Sequence, residues 1–335
     1  MISSFGTMPD GREVKLYTIS GGKLKAAVTD LGATLVSLWV PDAQGNVADV
    51  TLGYDDASGY LNNEGYLGTV VGRNCNRIKD SRFVMGGKTV CLPPNEGANN
   101  LHSGPEPFNI RLWDVAEVAE SSIRLHLSSP DGDQGFPGNA EIFVTYSIEN
   151  DALVITYDAV SDQDTVFNFT NHAYFNLAGE NQTGKAMDQL LQVNGTWFNP
   201  DDAESIPTGE KRSVEGTPFD FRTAKPLGRD ITQDYDALNL QGGYDHNFEA
   251  LGDVCAVLTD PESGRTMSVI TDCPGIQVYS GNYLDLTGKN GVYYCKRSAV
   301  CLETQYYPNS VNHPEWPQPF TKAGEKYHSV TKYQF

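Results

Sequence analysis

Two stretches of the sequence hold residues able to work together as an acid and a base. Residues 168–179 read NFTNHAYFNLAG, which sets His172 among asparagines and aromatic rings and closes on a glycine. Residues 298–309 read SAVCLETQYYPN, in which Glu303 alternates with Val300, Leu302 and Thr304 and shares a face with Ala299 and Cys301. A lone histidine beside aromatics is ordinarily structural. An acid in a mostly apolar strand is another matter, because burying it is costly unless it is paired or working. Phe167 and Phe169 alternate with Asn168 and Thr170, which predicts a strand whose end delivers Asn171 and His172 to an edge. Histidine and glutamate placed in this way form a candidate acid–base couple, and an imidazole titrating near pH 6.5 suits reversible proton transfer.

Four further stretches combine polar side chains with tight turns. They are GRNCNRI at 72–78, NNLHSG at 99–104, GGYDHNF at 242–248 and PGIQVYSGNYLD at 274–285. Taken singly, each has an ordinary reading. Asp245 and Asn282 would be turn residues, Arg77 a surface charge, and Gln277 a polar residue on an outer sheet face. Taken together they describe a site rich in Asn, Gln, Asp, Arg and His, which suits a ligand covered in hydroxyls. Each sugar hydroxyl both donates and accepts, so such residues can saturate it with directed hydrogen bonds, and aromatic rings can cover its C–H faces.

The elements that must position these residues read almost entirely as strand and turn. Residues 23–40 give two strands broken at 30–32, and 49–53 give another. A hairpin over 81–92 turns at Gly86-Gly87. Strand 123–127 places Arg124 and His126 on a solvated face, and 141–148 pairs with 153–160 across 149–152. Strands over 187–193, 254–259, 266–271 and 276–280 continue the pattern, and no helix longer than two turns is expected. Many short strands without a break in composition predict an all-β fold, one large antiparallel β-sandwich spanning 1–335. Two smaller sandwiches joined without a visible linker are the alternative.

Composition narrows the function classes. Among the 335 residues, 43 Asp and Glu outweigh 24 Lys and Arg, for a formal net charge of -19. That balance repels phosphate backbones and anionic lipid, so nucleic acid and membrane surfaces are poor partners, and something neutral or cationic is a better one. The start has neither a basic nor an apolar leader segment, so the expected compartment is the cytoplasm. The six cysteines form no CxxC pair and are read as reduced thiols. No HExxH, Cys–His cluster, GxSxG, P-loop or GxGxxG is present, so neither a metal nor a nucleotide cofactor is expected.

The six motifs, in this order and with FGTMPDGREV and LGATLVSLWVPDAQGNVADVTLGYD before them and AGEKY after, resemble the aldose 1-epimerase (galactose mutarotase) family. NHAYFNLAG and LETQ are the distinctive ones. The resemblance implies a large β-sandwich of the galactose mutarotase type, a sugar site in a cleft on its concave sheet, and no cofactor. It makes Glu303 the catalytic base, His172 the catalytic acid and His102 a second active-site histidine. It makes Asn76, Arg77, Asp245 and Gln277 sugar-binding. Asn74 and Cys75 depart from the small apolar pair usual in the first motif, and Ser103 stands where a glycine is common. These departures bear on sugar preference.

The reaction so implied fits the residue types. Interchanging α and β anomers requires taking the C1 hydroxyl proton while protonating the ring oxygen; rotation about C1–C2 and reclosure follow. A carboxylate serves the first step and an imidazolium the second. The expected partner is a free monosaccharide, galactose or glucose, and the expected assembly a monomer or homodimer. Two other readings remain: a glycoside hydrolase using Glu303 and Asp245 as its carboxylate pair, and a sugar-binding module without turnover.

Overall fold

The computed structural model describes residues 1–62 and 65–335. Its longest regular piece is the hairpin read from the sequence. Ala140–Glu149 and Ala152–Ser161 pair without a slip from Ala140 opposite Ser161 to Glu149 opposite Ala152. Asn150 and Asp151 close it with positive φ of 48° and 59°, the left-handed pair a two-residue hairpin demands. Alternate residues Ile142, Val144, Tyr146 and Ile148 are buried, so one face of the hairpin belongs to the core.

That hairpin lies within a nine-stranded antiparallel sheet whose other central member is the C-terminal strand Lys326–Gln334. A second sheet of six strands runs in the order Tyr174–Phe175, Val300–Gln305, Gly275–Tyr279, Asp245–Glu249, Trp197–Phe198, Arg212–Ser213. A five-stranded meander formed by residues 2–49 adds a third sheet. One apolar cluster joins all three, drawing on Tyr17, Leu38, Tyr146, Phe175, Leu302 and Tyr333.

Strand pleating decides where the chemistry goes. Side chains alternate faces with period two, and Val300–Gln305 is buried along its whole length. Leu302 and Thr304 face the nine-stranded sheet, where the Tyr333 hydroxyl donates to Leu302 O at 3.2 Å and Thr304 meets Thr331. Cys301, Glu303 and Gln305 therefore face the other way. A strand that looked like core in the sequence packs on the nine-stranded sheet on one side only; from the other side Glu303 reaches a cavity.

The strands over 23–40, 81–92, 123–127, 141–160 and 266–271 are where the sequence put them. Three segments differ. The strand expected at 49–53 ends at Asp49, because that carboxylate accepts the N–H groups of Leu38 and Thr51 at 3.1 and 3.2 Å and pairs with Lys289 at 2.8 Å, which turns the chain. The strand expected from 187 begins at Leu190, after a turn of 3₁₀ helix at Ala186–Asp188. The approach to His172 is not one strand. Only Thr170–Asn171 pairs, with Val70–Val71, and Asn168 makes a single bridge to Asn74. The helices of the described residues are short, as expected; Ala57–Leu61 and Asp236–Gln241 are the two α-helical turns. None of them is long and apolar enough to cross a membrane.

Candidate active site

Glu303 hangs from Val300–Gln305 opposite Gln277 on the neighbouring strand, and both are buried. His172 follows the short Thr170–Asn171 pairing, and its backbone is fixed twice: its N–H donates to Thr69 O at 2.9 Å and its carbonyl accepts from Gly68 at 3.0 Å. Asn171 beneath it donates to Gly68 O and to the Tyr146 hydroxyl, tying the turn to the nine-stranded sheet. These bonds bring His172 Nε2 to 3.7 Å from Glu303 Oε1, with both residues about 95% out of solvent. The other ring nitrogen, Nδ1, lies 3.6 Å from Cys301 Sγ. Rings of Tyr66, His102, Tyr174 and Tyr279 surround the imidazole at centroid distances of 5.0 to 6.1 Å.

The remaining predicted residues converge on the same place. His102, with φ of 52°, and Asn76, with φ of 59°, lock two loops together. The Asn76 N–H donates to His102 Nδ1 at 3.1 Å and the His102 N–H donates to Asn76 O at 3.1 Å. With Nδ1 accepting, the neutral ring of His102 carries its proton on Nε2. Arg77 grips Glu96 through two bonds of 2.5 and 2.8 Å. Asp245 starts the strand Asp245–Glu249 and accepts from Gln277 Nε2 at 2.8 Å. Asn76, Arg77, His102, His172, Asp245 and Glu303 all line one cavity of about 400 Å³, near the lower end of small-molecule sites. Gln277 does not line it; that side chain lies behind Asp245.

The electrostatics follow from how deeply these side chains are buried. Burial pushes the Glu303 carboxyl well above the usual range, helped by the Asp245 charge and opposed by Arg77. Burial pulls His172 down to about 4. Burial likewise keeps His102 well below its ordinary value, and the nearby His172 and Arg77 act in the same direction. Asp245 is raised by burial, while Arg77 and the Gln277 bond hold it back. Burial works against the Arg77 charge too, yet Glu96 and Asp245 outweigh it and leave the guanidinium above its usual value. One firmly charged cation thus faces several acids that burial makes reluctant to ionise.

Other sequence candidates separate cleanly. Arg73, four residues before Arg77, is wholly buried and donates to the carbonyls of Ser129, Pro130, Pro137 and Gly138, so it is a structural bolt. His246 is buried among Phe198 and Phe219, away from the cavity. His126 sits on the sheet against Glu141. All six cysteines are free thiols. His172, Cys301 and Glu303 place ligand-type atoms within 4.8 Å of one another, the one such group among the described residues. Its geometry suits a metal poorly, because the imidazole turns a different nitrogen to each partner, and burial keeps the Cys301 thiol protonated.

Sequence reasoning missed Glu96, which sits in the turn-rich NEGANN segment and carries no signal beyond that of a solvated acid. It called for aromatic rings over the C–H faces without naming them: Tyr66, Tyr174, Tyr279 and Tyr283 all line the cavity. The two departures from the family pattern touch each other. The Ser103 hydroxyl donates to Asn74 O and accepts from the Asn74 N–H, both at 2.9 Å, stapling the His102 turn to the loop that carries Asn76 and Arg77.

Comparison with known proteins matches residues 15–334 to the family described as aldose 1-epimerase. The chain belongs to the aldose 1-epimerase family. A galactose mutarotase of Mus musculus is 40% identical over 99% of this chain and 97% of its own length. An aldose 1-epimerase of Escherichia coli (strain K12) is 39% identical over 98% of this chain and 96% of its own. Among solved structures of this epimerase family, an aldose epimerase homologue from C. elegans superimposes with a TM-score of 0.88 at 30% identity, covering 95% of this chain and 98% of that one. A galactose 1-epimerase from Lactobacillus acidophilus gives 0.87 at 26% identity, covering 100% and 97%. The all-β sheets described above are those of the galactose mutarotase fold.

Proposed function

We propose that this protein interconverts the α and β anomers of a free aldohexose such as galactose or glucose, with Glu303 as base and His172 as acid. The 3.7 Å separation of the buried Glu303 Oε1 and His172 Nε2 at the wall of this cavity carries the reading. The hydroxyl that must lose a proton and the ring oxygen that must gain one are bonded to the same carbon, C1. A base and an acid that serve both atoms must therefore be close neighbours, and these two are.

The proton inventory follows from burial. The reactive state is a carboxylate beside an imidazolium, an ion pair that burial disfavours at both members. Proton transfer to and from the sugar discharges both: Glu303 takes the C1 hydroxyl proton and His172 gives one to the ring oxygen. The open-chain sugar then faces a neutral carboxyl and a neutral imidazole, the arrangement burial favours. Reclosure on either face of C1 returns both protons. A positioned acid and a positioned base contribute roughly 10²- to 10⁴-fold each.

The other residues hold the ring still while C1 turns. His102, neutral and protonated on Nε2, donates to a sugar oxygen; Arg77, anchored by Glu96, supplies fixed donors; Asp245 accepts from hydroxyls; Asn76 shapes the turn beneath them. Gln277, placed at the sugar by resemblance, acts here by holding Asp245. Tyrosines 66, 174, 279 and 283 give the C–H faces an apolar wall. The chain is read as one domain, supported by an apolar cluster that reaches from Tyr17 to Tyr333. Polarimetry on freshly dissolved α-galactose, α-glucose and a pentose tests the proposal. Acceleration toward the equilibrium rotation is expected for a hexose, and none for any free sugar would sink it; release of a second sugar from a disaccharide would mark a glycoside hydrolase instead.

A further inference from the structure

The LETQ motif contains a residue that neither the acid–base couple nor the cavity wall uses. Gln305 is fully buried, two residues along the strand from Glu303 on the same face. We propose that Gln305 is the positioning residue that fixes which end of the Gln277 amide faces Asp245, and thereby holds the Asp245 carboxylate ready for the sugar. The inference rests on the reading of the site given above.

An amide side chain has an oxygen end and an NH₂ end of nearly the same shape, so only its partners decide its orientation. Gln277 Nε2 donates to Asp245 Oδ1 at 2.8 Å, and Gln277 Oε1 accepts from Gln305 Nε2 at 3.1 Å. Gln305 Nε2 also donates to Asn247 Oδ1 at 3.3 Å, and the Cys75 thiol donates to Gln305 Oε1 at 3.4 Å. Asn247 Nδ2 passes the sequence on to Asn199 Oδ1 at 3.0 Å, and Asn199 Nδ2 donates to the backbone carbonyl of Glu210 at 3.0 Å.

The chain of amides ends on an acceptor at both sides, the Asp245 carboxylate and the Glu210 carbonyl. Donation must therefore run outward in two directions from some point between them. That point needs two hydrogens on one atom, and Gln305 Nε2 supplies both. Turning the Gln305 amide over would set its oxygen against the oxygens of Gln277 and Asn247. Gln277, Gln305, Asn247 and Asn199 are all at most 3% exposed, so water offers no substitute partner. An acid of the same size at position 305, lacking the donors, cannot hold this pattern.

The test measures anomer exchange by NMR against sugar concentration in Gln305→Met, Gln277→Met, the double variant and Cys75→Ala. Gln305→Met keeps length and removes both donors. KM is expected to rise roughly tenfold, the scale of a lost hydrogen bond to a charged group, while kcat changes far less because Glu303 and His172 are untouched. Added to Gln277→Met, the same substitution should raise KM little further, since both act through one path. Cys75→Ala, which frees only the Gln305 oxygen, should raise KM by a smaller factor, and it decides the matter if Gln305→Met yields no folded protein. An unchanged KM in folded Gln305→Met, full additivity with Gln277→Met, or, where Gln305→Met does not fold, an unchanged KM in Cys75→Ala would overturn the proposal. Unsubstituted protein that exchanges no anomers would instead sink the reading of the site. The same variants would then be compared by calorimetric affinity for galactose, where an unchanged affinity counts against Gln305 in the same way.

Discussion

His246 offers a sharp test of how dry this protein is beside its cavity. It follows Asp245 on the same strand but points into aromatic packing, where Phe198 and Phe219 meet its ring edge-on at 5.7 and 4.8 Å. Burial, with the Arg212 charge adding to it and Asp236 opposing, pulls its pKa down to about 3. An unfolded histidine titrates near 6.5. Between those values the unfolded chain binds a proton that the folded chain refuses, so the stability from this residue is present above pH 6.5 and is lost as pH falls toward about 3. From pH 7 to pH 5 the loss is roughly 2 kcal/mol relative to a side chain that does not titrate. The perturbation is His246→Gln, which keeps an acceptor for the Asp245 N–H that now donates to His246 Nδ1 at 3.1 Å. Urea unfolding of both proteins at pH 7 and pH 5 gives four free energies. His102 and His172 add to the acid sensitivity, and the raised carboxyls of Glu303, Asp245 and Asp201 act in the opposite sense. These are common to both proteins and cancel in the difference. The unsubstituted protein should lose about 2 kcal/mol more than His246→Gln over that interval. Equal losses would show that His246 is solvated or charge-compensated and would refute the picture of a dry strand under Asp245.

Arg77→Ala and Asp245→Ala should each raise KM for anomer exchange. Arg77→Ala should also cost about 1–2 kcal/mol, reduced from a fully buried pair because the Glu96 side chain is 39% exposed. Loss of soluble protein in both, with no separable kinetic effect, would make them structural. Arg73→Met takes the guanidinium donors away from four carbonyls, those of Ser129 and Gly138 buried, and should cost about 3 kcal/mol or more in urea unfolding; a cost within about 0.5 kcal/mol, as at an ordinary surface position, would refute its role as a bolt. Exhaustive chelation should leave exchange unaltered, because His172 gives Cys301 and Glu303 different nitrogens; activity abolished by chelation and restored by a divalent ion would contradict this.

The regular strands were legible in the sequence because one buried face imposes period two, as along 140–161. The segments around the site were less so. Residues 168–172 are almost wholly buried, and their shape comes from side chain–backbone bonds such as Asn171 to Gly68, which leave no periodicity to read. His172 and Glu303 were found through residue type and motif; the distance between them depends on strands that meet only in three dimensions. Gln277 read as outer-face polar or sugar-binding, and it is neither exposed nor on the cavity wall, because the six-stranded sheet is covered on both sides there. Glu96 was missed because an acid in a turn looks solvated until an arginine from another loop reaches it. Arg73 and Arg77 share one motif; resemblance singled out Arg77, and the carbonyls that receive Arg73 give the physical reason for the difference.

Whether Glu303 and His172 move the protons is tested most directly by anomer exchange in Glu303→Gln, His172→Asn and the double variant, followed by NMR. Glutamine keeps size and hydrogen bonding but takes no proton from the C1 hydroxyl, and asparagine keeps a polar group but gives none to the ring oxygen. Each single substitution should lower kcat by roughly 10²-fold or more, with sugar binding retained through Arg77 and Asp245. The double variant should lose little beyond either single, because a relay short of one member gains little from the other. Near-normal exchange in either folded single variant would contradict the assignment and leave His102 as the next candidate acid.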